Sequence, residues 1–378
     1  GLVAAATFLI GGISAFRLAP TERGVGGFDL VAETSRPIFV DLNDAAERRS
    51  RFAADAPTLE SVGVLAFRWR RGDDASCNNP FRAAQPQVMG VSADVARWFD
   101  ESTHPAFGWA GTESSDESVR ANPWRALDPE RATPAGEPIP VVIDKNTAMW
   151  GLQVYSVGQR FTIEYEEVGQ VEFRAVAFLD NTILQGRLLV GDADFRRLFP
   201  DEEGDRFFLV RTGAADEAIR TRIRGLLEDR LGDVGFATRR SDRVLGELLA
   251  VQNTYLSTFQ SLGALGLLLG TFGLATVQLR SVLERRGELA LMQAIGFRRR
   301  RLMSLVALEN AWLLLLGLGI GGASAIGVVL PHWWFGAASV PWRELGAILG
   351  AVALIGVLTG SLASRSLLGI DVKRSLRG

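Results

Sequence analysis

The sequence predicts a membrane protein: four transmembrane α-helices, with a large extracytoplasmic mixed α+β domain inserted after the first. Three observations carry this fold class. Long apolar runs occupy 1–16, 255–279, 305–330 and 345–362. Charge is divided unevenly along the chain, with 12 Lys+Arg against 5 Asp+Glu in 254–378, and 29 against 38 in 17–253. The basic residues of the short connections are also asymmetric. Segment 280–304 holds seven arginines, and 363–378 adds Arg365, Lys373, Arg374 and Arg377, whereas 331–344 has only Arg343. Arginine-rich short loops stay in the cytoplasm. Segments 280–304 and 363–378 are therefore predicted inside, and 331–344 and 17–253 outside.

The first element, 1–16, is uncharged and is followed by Arg17. It is slightly short of the roughly 20 residues a span needs. It lacks the basic start and small-residue cleavage site of a signal peptide. It reads as a span whose start lies before residue 1, which makes the chain part of something longer.

The second element, 17–253, is the extracytoplasmic domain. β-branched and aromatic content predicts strands at 141–143, 161–168, 171–179, 184–190 and 207–211. A helix is predicted over 214–231, with Ile219, Ile223, Leu226, Leu227 and Leu231 on one face. Residues 101–138, rich in Ser, Pro, Gly and acids, read as a loop or insertion. Residues 241–253 read as a stalk helix running straight into the next span.

Spans at 254–279, 305–330 and 345–362 follow. Glycines four apart within them (Gly266 and Gly270, Gly317 and Gly321, Gly346 and Gly350, Gly356 and Gly360) allow close helix packing. Trp333, Trp334 and Trp342 fall at the expected outer interface. Glu309 sits about one turn into the third span, near its basic cytoplasmic end, where it can reach the headgroup region.

Several chemistries are excluded or unsupported. The single cysteine, Cys77, allows no intrachain disulfide and no cysteine-based zinc site. His104 and His332 lie far apart in sequence. Asp73, Asp74 and Ser76 beside Cys77 read as a polar turn with an incidental thiol. The two lysines, Lys145 and Lys373, stand outside any glycine-rich phosphate loop, and no hydrolase or metalloprotease motif is present. Acids outnumber arginines in the outer domain, so nucleic acid is not an expected partner. The chain is expected to be neither an enzyme nor a holder of a cofactor or metal.

The informative segment is 280–304, SVLERRGELALMQAIGFRRRRLMS from residue 281 onward. Ser281 and Glu284 carry capping-box spacing, which predicts a helix start. Leu283, Leu291, Met292 and Ile295 supply apolar anchors, and Gly296 is a natural helix stop. A short helix on the membrane surface, turning sharply into the third span, suits either anionic lipid or a soluble partner.

This segment resembles the cytoplasmic loop of FtsX-like permeases, the family of MacB- and LolC/LolE-type ABC transporter permeases. The resemblance rests on Glu284, Arg285, Arg286, Glu288, Met292, Ala294, Ile295, Gly296, Arg299, Leu302 and Glu309. The order of one span, one large outer domain and three spans is also similar. Residues 140–180 resemble the family's extracytoplasmic core, while 17–138 match it less clearly. Segment 72–91 looks like the C-terminal half of a duplicated permease.

The resemblance implies a permease subunit in the bacterial inner membrane. It implies a P-loop ATPase that binds ATP and docks on Glu284, Arg285, Arg286, Glu288, Met292, Ile295, Gly296 and Arg299. It also implies a second permease half, on the same polypeptide or in a homodimer. ATP-driven motion would reach a MacB-like periplasmic core by mechanotransmission, exporting or extracting a lipid, lipoprotein, drug or peptide. The alternative is an FtsX-type signalling protein that activates an external cell-wall hydrolase without transport.

Overall fold

A computed structural model describes residues 18–73, 75, 83–101, 106–214, 216–334 and 350. The expected spans at 1–16 and 345–362, the outer loop at 331–344 past Trp334, the tail 363–378, and Asp74, Ser76, Cys77 and His104 lie outside the described residues. The chain divides into two compact units, Ala19–Val251 and Gly1–Leu18 with Gln252–Gly378.

The first of these units is built on one mixed sheet. Its strands are β1 (Leu30–Ile38), β2 (Gly63–Arg70), β3 (Gln87–Val91), β4 (Trp109–Thr112), β5 (Ile139–Asp144), β6 (Arg160–Tyr165), β7 (Gly169–Leu179), β8 (Arg187–Gly191), β9 (Asp205–Arg211) and β10 (Ala237–Arg240). They lie in the order β10-β1-β9-β2-β3-β8-β5-β7-β4, with β6 beside β7. The helices of the unit are α1 (Glu22–Val25), α2 (Ala45–Phe52), α3 (Ala93–Glu101), α4 (Glu117–Ala121), α5 (Asp192–Leu198) and α6 (Glu217–Arg230).

Two apolar cores divide the sheet. One gathers Leu30, Ala32, Val64, Phe208 and Val210 beneath Ile223 and Leu227 of α6. It joins strands from both ends of the unit's sequence. The other, from the middle of the sequence, gathers Ile143, Tyr165, Phe173, Val190 and Phe195. The antiparallel pair β2–β3 and the parallel pair β3–β8 knit the two halves together.

The five expected strands are present, as β5 to β9. Burial on both faces removes clean alternation from most of the others: on β2 the adjacent Val64 and Leu65 are both buried, as are Trp69 and Arg70. That hid β1 to β3 from a period-two reading. The expected loop 101–138 contains β4, α4 and a short 3₁₀ turn at Pro123–Ala126. Its Trp124, 2% exposed, stacks on Phe99 and meets Trp109 edge-on. Aromatic packing thus orders a segment whose composition is that of a loop. On α6, Ile223 and Leu227 are buried and Leu231 follows at 0% exposure, but Ile219 is 48% exposed. The apolar face therefore starts one turn later than its spacing suggests.

The other unit contains the rest of α7 (Ser241–Glu284), then α8 (Arg286–Ala294) and α9 (Arg299–Trp334). As expected, residues 241–253 run on without a break into the following apolar segment. Asn253 fastens Leu18 from both sides: its Oδ1 accepts from the Leu18 amide at 3.0 Å, and its Nδ2 donates to the Leu18 carbonyl at 2.7 Å. Among the described residues, no helix is long and apolar enough to cross a membrane. Many of the apolar side chains described on α7 after Asn253 and on α9 after Leu302 are nevertheless exposed. Leu269 is 60% exposed, Phe272 72%, Leu308 74% and Trp312 64%.

Candidate docking segment

The expected docking residues lie on two helix ends and one short helix. Helix α7 continues through Ser281 to Glu284, so Ser281 is interior and the capping box does not form. Glu284 instead pairs with Arg280 one turn earlier, at 2.7 Å. The i, i+4 pairing satisfies the carboxylate within α7, which removes the reason for a helix start there. The break falls at Arg285 (φ −90°, ψ 9°), and α8 begins at Arg286 with no side-chain cap.

The stop at Gly296 is present. The Phe297 amide donates to the Met292 carbonyl at 3.1 Å, and the Gly296 amide donates to Gln293 at the same distance. This pair of bonds is a Schellman closure, with Gly296 at φ +107°. A side chain is strained at that angle whatever the space around it. Gly296→Ala is expected to cost about 1 kcal/mol of local helix stability, read as faster amide exchange over residues 292–297.

Between these breaks, Glu288, Leu291, Met292 and Ile295 follow the i, i+3, i+4, i+7 pattern of one helical stripe. All four are exposed, with Met292 at 40%, Leu291 at 57% and Ile295 at 71%. Leu283 and Phe297 are exposed on either side. Leu291, expected as an apolar anchor though not among the expected docking residues, completes the stripe by its spacing from Glu288 and Ile295. Arg286 and Arg299 are the first residues of α8 and α9; their side chains are outside the described ones. Arg285 reaches Glu309 on α9 at 3.5 Å. The result is an exposed apolar stripe with one carboxylate, flanked in the sequence by the exposed Arg285, Arg298, Arg300 and Arg301. Among its described residues this surface holds no nucleophile–base pair. Among the described residues, no group of His, Cys, Asp or Glu could hold a metal.

The unit Ala19–Val251 offers different chemistry. A cleft of about 250 Å³ lies between Val244 and Leu248 of α7 and a floor of Val31, Ile183 and Phe207. It is smaller than a typical drug-sized site of roughly 300 Å³ and upward. At the end of β5, Asp144 is fully buried. Its Oδ1 accepts from the amides of Asn146 and Thr147 at 2.9 and 3.1 Å, while Oδ2 has no partner. Burial pushes its pKa up to about 6, against the lowering effect of those amides. Below about pH 4 the group is protonated in the folded and unfolded chain alike. As pH rises to 6, the unfolded chain loses its proton first, so stability falls, and above 6 the whole penalty stands. Asp144→Asn is expected to stabilise the outer unit at pH 7.5 by up to about 3 kcal/mol and to flatten its melting profile between pH 4 and 6. The slope that remains would come from Asp205, which burial also raises to about 6.

Residues 261–372 match the family model described as FtsX-like permease C-terminal, and α8 lies within that range. A macrolide export ATP-binding/permease protein MacB of Psychrobacter arcticus is 27% identical over 332 residues, which cover 85% of this chain and 46% of the relative. An uncharacterised ABC transporter permease of Methanocaldococcus jannaschii is 24% identical over 230 residues, 55% of each chain. A probable syringafactin export ATP-binding/permease protein of Pseudomonas syringae is 26% identical over 170 residues, 43% of this chain and 25% of the relative. The chain thus spans less than half the length of the MacB protein it matches. The crystal structure of the periplasmic region of MacB from Actinobacillus actinomycetemcomitans superposes loosely. Its TM-score is 0.30 at 11% identity, over 59% of this chain and 94% of that one.

Proposed function

The chain carries an FtsX-like permease C-terminal domain over residues 261–372, and from that premise we propose that it is a permease subunit of an ABC exporter. In this reading, four helices span the bacterial inner membrane. The unit Ala19–Val251 stands on the extracytoplasmic side, and a second permease half completes the assembly. The chain itself is not an enzyme and holds no cofactor. A P-loop ATPase binds ATP and docks on α8. Its closure moves α8, and α7 carries the motion to the outer unit as a stalk. The cargo is a hydrophobic or amphipathic molecule, such as a lipid, lipoprotein, drug or peptide.

The observation that carries this reading is the exposed stripe Glu288–Leu291–Met292–Ile295 inside the matched region. Its three apolar side chains lack a partner among the described residues, and exposed apolar patches mark interaction sites. What supports the membrane placement is the outward-pointing leucine and aromatic surface of α7 and α9, which water would not tolerate at such density. The relatives' printed names join ATP-binding to permease, which supports an ATPase partner.

Detergent extraction of the native full-length protein, followed by mass spectrometry of what accompanies it, tests the proposal. A P-loop ATPase in the eluate is expected. Recovery of an external hydrolase without any ATPase would replace export with signalling.

A further inference from the structure

Glu309 is the one acid within the helix α9 that no docking or transport step has yet used. It stands ten residues after the start of that helix, at Arg299. Its Oε2 lies 3.5 Å from Nη1 of Arg285. Arg285 is the single residue between α7 and α8, in a conformation that belongs to neither helix. No side chain caps α8 at that point, so local hydrogen bonding does not set the angle of the break. Glu284 is already engaged by Arg280 and does not compete for Arg285. Among the described residues, the Arg285–Glu309 pair is the one side-chain hydrogen bond or ion pair that joins 285–296 to α9.

We propose that this ion pair is a latch, in which Glu309 is a positioning residue that holds the break at Arg285 and so sets where α8 presents its stripe. This inference rests on the docking role of α8 given above. Helix α8 is bounded by two breaks, at Arg285 and at Gly296, and the second is closed by its own backbone hydrogen bonds. The latch ties the first of them to α9. Both partners are about half exposed, and in water such a pair is weak. Where lipid replaces water around α9, the lower dielectric strengthens the same attraction. The latch also gives Glu309 a role that needs no proton transfer: its charge is matched by a guanidinium instead of lining an ion path.

The test uses the full-length protein in lipid nanodiscs. With Cys77→Ser as background, spin labels at Leu291→Cys and Ile320→Cys report the separation of α8 from α9 by electron–electron resonance. Glu309→Gln and Arg285→Gln are each expected to broaden the distance distribution. Reversing the pair, with Arg285→Glu and Glu309→Arg together, is expected to narrow it again. ATPase stimulation should fall about two- to fivefold in Glu309→Gln, the range an exposed pair supports; the reversed pair is read by its distance distribution alone, because Arg285 also belongs to the docking segment. A narrow, unchanged distribution in Glu309→Gln would overturn the latch, as would a reversed pair as broad as the single variants. A distribution that responds as expected in a protein that binds no ATPase would uphold the latch and remove the docking reading alone.

Discussion

Placing aspartates at Met292 and Ile295 is expected to abolish recovery of the proposed ATPase partner while leaving the unit Ala19–Val251 folded. Both side chains lie on the exposed stripe of α8, at 40% and 71% exposure, and support no core. Neither substitution therefore opens a cavity. An interface anchor is worth about 2 kcal/mol or more when truncated, and a buried unpaired carboxylate adds a desolvation cost. Two such sites together amount to a loss of affinity on the order of a thousandfold. Reversing the charges of Arg285 and Arg286 should act in the same direction, as should replacing Glu288 and Gly296 together. The check is pull-down from native membranes, with circular dichroism and protease resistance of the outer unit measured in parallel. Wild-type ATPase recovery in the double-aspartate variant would sink the docking assignment.

Phe173→Ala is expected to produce the largest loss of stability in the outer unit. Phe173 is fully buried on β7, stacks on Phe161 with ring centroids 5.6 Å apart, and meets Tyr165 edge-on at 6.4 Å. The strand around it is paired on both sides, with β5 and with β6, so the backbone has little freedom to collapse into the void. Removing a buried phenylalanine from such a site costs about 3–5 kcal/mol. Phe208→Ala in the other core, where Phe208 packs on Phe236, should cost a similar amount. The two cores share one hydrogen-bonded sheet across β2, β3 and β8. Either variant should therefore lower a single unfolding transition, followed by thermal scanning and limited proteolysis. Two separate transitions would show that the halves of the sheet unfold independently.

Much was legible in the sequence where the signal is local. Val171–Leu179 announces β7 through β-branched and aromatic content, and Ile223 and Leu227 announce the buried face of α6. Gly296 announces a helix stop because only glycine takes its angle without strain. The exposed stripe of α8 was legible too: Leu291, Met292 and Ile295 were expected as apolar anchors and all three are exposed. Local signals misled where a nearby competitor won. Ser281 and Glu284 have the spacing of a cap, yet Arg280 takes Glu284 and the helix runs through. Residues 101–138 have the composition of a loop, yet Trp124 is drawn into an aromatic cluster with Phe99, Phe107 and Trp109.

The sequence by itself determined the charge partition, the apolar segments, the arginine-rich connection and the strands from β5 to β9, because each depends on residues close together in the chain. Only the tertiary structure decided that β1 and β2 enclose β9, and that β10 closes the edge beside β1. The same holds for the meeting of Arg285 with Glu309, 24 residues further on. Periodicity states which face of an element is apolar, but not which other element will cover it. That choice is made by the burial and pairing energy of contacts distant in sequence, summed over the whole fold.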